Sequence, residues 1–170
     1  MDLQNYVRDI KDFPKEGVTY KDITPLLLSP EATNFALQQF VVKLKDMRID
    51  KVVGIESRGF FFGTLLAKEL NVGFIPVRKP GKLPAETHTE SYDLEYGKDT
   101  LEIHADAIKK GEQILLHDDV LATGGTAKAT CNLIERCGGE VVYCNFLVKL
   151  LFLNGGEKLN NYNVHSLIEY

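Results

Sequence analysis

The sequence lacks a CxxC pair, an Asn-x-Ser/Thr sequon, an internal repeat and a low-complexity linker. Its three cysteines, Cys131, Cys137 and Cys144, are an odd number, so they do not form a closed disulfide framework. Cys131 and Cys137 fall on different faces of one predicted helix and cannot pair with each other. Buried or partly buried thiols in a reducing cytosol are therefore expected. Long apolar runs are also missing. The longest, from Val141 to Leu153, is interrupted by Asn145 and Lys149 and is too short to span a bilayer. The opening MDLQNYVRDIKDF has no continuous apolar core of the kind a targeting segment needs. Charge of one sign is scarce too. The formal net charge is −4, with no long acidic or basic block. This argues against nucleic-acid and membrane partners, and leaves polyanion binding to a local basic cluster.

What is present is the composition of an ordinary globular domain, 44% hydrophobic and 26% charged. A chain of 170 residues is read as one domain, 1–170, that buries about 70% of its unfolded surface. Leu3 to Ile10 reads as a short helix ended by Phe13-Pro14, and Phe13 to Pro25 as an irregular segment. Pro30 opens a helix over Glu31 to Met47, with Phe35, Leu37, Phe40, Val41 and Leu44 on its apolar face. Lys51 to Ile55 is a buried strand, Ser57 opens a helix to Leu70, and Val72 to Val77 is the next strand. Arg78 to Thr89 is too polar and interrupted to form a regular element. Tyr92 to Tyr96 and Thr100 to His104 form a hairpin around Gly97. Gln113 to His117 is the central strand and Thr126 to Arg136 its helix. Glu140 to Val148 and Asn163 to Ile168 are the last two strands. This alternation predicts an α/β fold with a mainly parallel sheet, right-handed crossovers and a site at the carboxyl ends of its strands.

The most informative stretch is Ile114 to Thr130, ILLHDDVLATGGTAKAT. An apolar strand ends in Asp118 and Asp119, and a glycine turn, Thr123-Gly124-Gly125-Thr126, opens a helix. Free N–H groups at a helix start attract an anion, and glycines let a phosphate approach the backbone. Carboxylates suited to sugar hydroxyls thus stand one loop from a phosphate cradle, which fits a ribose 5-phosphate. Glu56-Ser57-Arg58-Gly59 is a second strand-to-helix turn, with Arg58 as a cation beside the helix start. Arg78, Lys79 and Lys82 make up the one local basic cluster, on a loop able to close over a pyrophosphate. His88 lies on the same loop. Glu95 could manage a proton at a base nitrogen, and Tyr20 could stack on a base.

These strings resemble the type I phosphoribosyltransferase family, and within it the adenine phosphoribosyltransferases, over nearly the whole chain. The matching segments are FPKEGVTYKDITPLL, GIESRGFFFG, RKPGKLPAETHTESYDLEYGKDTLEIHADAI, HDDVLATGGTA and the ending SLIEY. The resemblance implies that fold, with a small base-binding hood over approximately residues 1–30 and a flexible catalytic loop over 78–96. It implies transfer of phosphoribosyl from 5-phosphoribosyl 1-pyrophosphate (PRPP) to adenine, giving AMP and pyrophosphate, with Mg2+ held mainly through PRPP and water. By resemblance, Asp118 and Asp119 bind the ribose hydroxyls and Ala122, Thr123, Gly124, Gly125 and Thr126 cradle the 5-phosphate. Ser57 and Arg58 match the pyrophosphate turn, with Arg78, Lys79 and Lys82 nearby. Thr19, Tyr20 and Lys21 match the hood that reads adenine through backbone groups. Glu95 matches the acid that handles a purine proton, with Tyr96 next to it. A cytoplasmic homodimer is expected.

Two departures stand out. His117 occupies a position that many members fill with an aliphatic residue, and is read as a satisfied strand-end histidine. Tyr20 and Lys21 replace Phe and Arg of some relatives. The alternatives are an enzyme for hypoxanthine, guanine or xanthine, or a PRPP-sensing regulator that binds DNA. No lysine is clearly placed to read a 6-oxo group, and 170 residues leave no room for a DNA-binding segment beyond the core.

Overall fold

A computed structural model describes residues 1–93 and 97–170. At its centre lie five parallel strands in the order β4-β3-β7-β8-β9: β3 Lys51–Ile55, β4 Gly73–Val77, β7 Gln113–Leu121, β8 Glu140–Lys149 and β9 Val164–Glu169. Their apolar residues alternate between two cores, as side chains of a sheet covered on both faces must. Val53, Ile55, Ile114 and Leu116 point into one core, which includes Leu133 and Ile134 of helix α4, Gly125–Arg136. Val52 and Leu115 point into the other, against Phe40 of α2, Pro30–Leu44, and Phe62 of α3, Gly59–Glu69.

His117 faces this second core. It is buried, with its ring edge-on to Phe40 and Phe62, and Nδ1 donates to Asn145 Oδ1 at 2.7 Å. Burial pushes its pKa down to about 4, against the opposing pull of Asn145. It is a core histidine paired across β7 and β8, and the expectation of a satisfied residue holds for its Nδ1.

Two expectations need correction. Residues 3–10 are not one helix. A single 3-10 turn, Leu3–Tyr6, is followed by β1, Arg8–Lys11, which pairs antiparallel with β2, Thr19–Asp22. Ion pairs Arg8–Asp22, 2.6 Å, and Lys21–Asp9, 2.7 Å, cross this hairpin, and a short helix α1, Thr24–Leu28, follows. Such non-local pairing leaves no periodic trace in a polar segment. Likewise, the stretch up to Thr89 is not irregular throughout, because β5, Thr87–Asp93, pairs in full register with β6, Lys98–His104. Asn132 and Arg136 of α4 brace it from behind, bonding to Glu90 Oε1 and the Thr89 carbonyl. Among the described residues no helix is long and apolar enough to cross a membrane. All three cysteines are free thiols, two of them buried and Cys137 partly so.

Candidate active site

The strand order reverses between β3 and β7: the chain proceeds from β3 to β4 in one direction and from β7 through β8 to β9 in the other. Ligands of open parallel sheets bind at such a point, outside the carboxyl ends of the strands. Both sequence-marked turns lie there. The helices they open are also unlike α2. In α2, Ser29 Oγ accepts from the Ala32 N–H, whereas α3 and α4 have no side-chain cap. At the start of α4 this leaves N–H groups for an anion, whereas in the first turn of α3 the Phe60 and Phe61 N–H groups already donate to the Ser57 and Arg58 carbonyls at 3.2 and 3.3 Å.

Two glycines make these turns possible. A side chain at Gly59 would meet Asp118 Oδ1 at 2.8 Å and the His117 carbonyl at 3.0 Å, so α3 starts against the end of β7 only because Gly59 has none. Gly124 adopts the left-handed region, φ 76°, and lies against the Gly155 carbonyl, where a Cβ would collide. Gly155 therefore backs the glycine loop, a role not visible in its sequence neighbourhood.

A cavity of about 480 Å³ opens at the switch point. Its walls bring together Thr19, Tyr20 and Lys21 of the hairpin, Arg58 and Lys79, the Asp118–Asp119 pair, and Ala122 and Thr126 of the loop. A smaller recess of about 70 Å³ adjoins it, lined by Asp118, Ala122, Thr123, Gly124 and Thr126. Gly125 is the first residue of α4 and is buried. Of the other predicted residues that the structure describes, Ser57, Arg78, Lys82 and His88 are absent from the cavity wall. Ser57 is exposed on the turn. Arg78 and Lys82 are held by Glu56, and His88 pairs with Ile103 in the β5–β6 hairpin. Glu95 and Tyr96 lie outside the described residues.

The acids and cations are already paired. Asp119 is 3% exposed, and its Oδ2 faces Arg58 Nε at 3.0 Å in an ion pair whose angle falls short of a hydrogen bond. The Asp119 N–H donates to Asp118 Oδ1 at 2.9 Å. Burial, and then the neighbouring Asp119 charge, raise the Asp118 pKa well above the ordinary carboxylate range. Burial also raises that of Asp119, partly offset by Arg58. Arg58 in addition donates to Tyr20 Oη, which ties the hairpin to the acid pair. Lys21 lines the cavity, but its ammonium turns away to Asp9 and to the Tyr170 ring, 3.5 Å from the centroid.

Sequence reasoning missed several wall residues. Glu56 accepts from the Lys79 N–H at 2.7 Å, Lys82 Nζ at 2.6 Å and Arg78 Nε at 3.3 Å. Burial alone would raise its pKa, but these donors together hold it below the usual value. Tyr92, Asp99, Leu101, Leu150 and Leu153 also line the cavity. Glu56 stood beside the matched turn and could have been marked as the strand-end acid. Leu150 and Leu153 carry no local signal. Among the described residues no three or more His, Cys, Asp or Glu side chains converge to hold a metal.

Comparison with known proteins agrees with this geometry. The phosphoribosyl transferase domain profile matches residues 20–164. An adenine phosphoribosyltransferase of Christiangramia forsetii is 71% identical over 170 residues, covering 100% of this chain and 99% of that one. The crystal structure of the adenine phosphoribosyltransferase of Thermoanaerobacter pseudethanolicus superimposes with a TM-score of 0.97 at 48% identity, covering 99% and 98% of the two chains. The Giardia lamblia enzyme of the same name, complexed with 9-deazaadenine, gives a TM-score of 0.95 at 38% identity, with 99% and 96% covered.

Proposed function

Because the chain belongs to the phosphoribosyl transferase family, and within it to the adenine phosphoribosyltransferases, we propose that it transfers phosphoribosyl from PRPP to adenine, releasing AMP and pyrophosphate in purine salvage. One observation carries the reading. A single cavity joins a base-sized wall at Val18–Lys21, an acid pair, and a glycine recess at a helix start. Base, ribose and 5-phosphate each have a wall of the right chemistry, in the order in which AMP presents them.

In the proposed reaction, a ring nitrogen of adenine bonds to C1′ as the C1′–O bond to pyrophosphate breaks. Positive charge develops on the ribose ring. In this reading Asp118 and Asp119 bind the ribose hydroxyls. Burial favours their protonated form, and cationic charge on the ribose ring favours ionisation. Their field therefore strengthens as the transition state forms, which is what accelerates a chemical step. The uncapped start of α4, with Thr123 and Thr126, takes the 5-phosphate. Arg58 and Lys79, with Ser57, Arg78 and Lys82 nearby, take the pyrophosphate charge. Glu95 receives the purine proton, with Tyr96 beside it.

Adenine is read through the backbone of the hood. Among the described residues strand β2 pairs on one edge only, with β1, and its other edge offers N–H and C=O groups. An adenine N6 donor and N1 acceptor match a carbonyl and an amide N–H. Hypoxanthine reverses both and leaves buried groups unpaired. Tyr20 supplies the aromatic face.

Mg2+ is proposed to arrive with PRPP. The protein offers it little beyond the Asp118–Asp119 edge, and phosphate and water oxygens suit its octahedral demand. Bound with PRPP, it would supply positive charge against the pyrophosphate oxygens. In the same reading residues 1–170 are one domain, with 1–30 as the hood and 78–96 as a closing loop. The protein works as a cytoplasmic homodimer, and exposed Leu28, Phe61 and Phe152 leave apolar surface for a partner.

The test is pyrophosphate release from PRPP and magnesium with adenine, hypoxanthine, guanine and xanthine in turn. Adenine is expected to lead by orders of magnitude. Comparable turnover with hypoxanthine overturns the base assignment.

A further inference from the structure

A chain of polar contacts runs along the cavity wall. Thr126 Oγ1, in the first turn of α4, donates to Tyr92 Oη at 3.1 Å. Tyr92 Oη donates to Asp99 Oδ2 at 3.0 Å, from the directly opposed position of the β5–β6 hairpin. Asp99 Oδ2 also takes the ammonium of Lys79. The other carboxylate oxygen, Oδ1, accepts from the Thr100 N–H at 2.9 Å, so the carboxylate cannot rotate freely. The backbone of Lys79 is pinned separately, by Glu56. All four of Thr126, Tyr92, Asp99 and Lys79 line the cavity.

We propose that Asp99 is a positioning residue for the transfer reaction: it holds Lys79 on the pyrophosphate side, and Tyr92 ties that ammonium to the 5-phosphate loop. The proposal rests on the functional reading above, which assigns pyrophosphate to Lys79 and the 5-phosphate to Thr126. Its physical basis is the freedom of a lysine stem. An unheld lysine loses rotamer entropy when it meets an anion, whereas one already held does not lose it again. An ammonium has three donors. One satisfies Asp99, and two remain for phosphate oxygens. Since the same chain reaches Thr126, the two anion sites are kept at a fixed span, which selects a ligand with a phosphate at each end. PRPP is such a ligand. AMP has only the 5-phosphate.

The test uses the full chain with Asp99→Asn, Lys79→Ala and the double variant, and measures PRPP, pyrophosphate and AMP affinity by calorimetry, together with KM and kcat. Asp99→Asn is expected to raise the PRPP KM and the pyrophosphate Kd about tenfold, as the loss of a charge-assisted contact does. AMP affinity is expected to stay within about twofold, and kcat to change less than KM. The double variant should bind pyrophosphate no more weakly than Lys79→Ala, because the two residues act as one unit. Additive losses overturn the proposal, as does an equal loss of AMP and pyrophosphate, which marks general loosening. Unchanged or tighter pyrophosphate binding in Asp99→Asn also overturns it, showing Asp99 to be a bystander or a competitor. A wild-type protein that binds neither PRPP nor pyrophosphate overturns the functional reading itself, and the positioning role with it.

Discussion

Arg58 Nε faces Asp119 Oδ2 at 3.0 Å, so the turn after β3 and the end of β7 are joined by an ion pair in the cavity wall. The pair links a cation assigned to pyrophosphate with an acid assigned to ribose. Taking such charges out of water is costly, which makes them weak contributors to stability. In the proposed reaction their placement serves a bound ligand.

Substitution of the acid pair separates activity from folding. Asp118→Asn and Asp119→Asn are expected to lower kcat/KM ten- to a thousandfold, roughly 1.4–4 kcal/mol of lost transition-state stabilisation. Stability should move the other way for Asp118. Its folded pKa lies above the unfolded value of 3.8, so the folded state binds more protons in that window. Stability therefore falls as pH rises through it. Asp118→Asn removes this loss and should melt higher than wild type at pH 7. Near-normal turnover in both variants places the acids outside the site.

His117 has the opposite linkage. Its folded pKa of about 4 lies below the ordinary 6.5, so the unfolded state binds more protons between those values. The contribution of neutral His117 is complete above pH 6.5 and lost as pH falls towards 4. From that span the loss is about 3 kcal/mol, an order-of-magnitude figure. Denaturant unfolding at pH 7.5 and 4.5 checks it: His117→Asn should show a smaller drop between the two than wild type. An equal drop assigns acid sensitivity to other groups.

Gly124→Ala should act on both the loop and its support. Position 124 needs a left-handed backbone, and a Cβ there meets the Gly155 carbonyl. A cost of about 1–3 kcal/mol in stability is expected from overpacking. PRPP and AMP affinity should fall together, because both place a 5-phosphate in the recess. Loss of adenine affinity with AMP unchanged would contradict the assignment.

The loop from Arg78 towards Glu95 should respond to ligand. Arg78 and Lys82 sit on Glu56, and PRPP offers these cations a second anion, while Lys79 keeps its contact with Asp99. Hydrogen exchange over this segment is expected to slow on addition of PRPP with magnesium. Glu95→Gln should lower kcat while PRPP affinity is nearly unchanged, because its partner is the base. Equal exchange with and without PRPP refutes closure, and full activity of Glu95→Gln removes the proton role.

Local chemistry was legible in the sequence wherever one contiguous turn carries it. The apolar run from Lys51 to Ile55 specifies a buried strand, and the acid-pair loop from Asp118 to Thr126 needs only a strand end, glycines and a helix start. The parallel sheet followed from alternation. Tertiary structure decided what pairs across distance. The polar strands Arg8–Lys11 and Thr87–Asp93 have no apolar period, and they exist because partners elsewhere complete their hydrogen bonds and ion pairs. The same holds for charge. Sequence alone marks Arg78, Lys79 and Lys82 as a basic cluster, but only the fold brings Glu56 and Asp99 against them and turns the Lys21 ammonium to Asp9 and Tyr170. A side chain's type is local, whereas its partner depends on which strand ends the topology brings side by side.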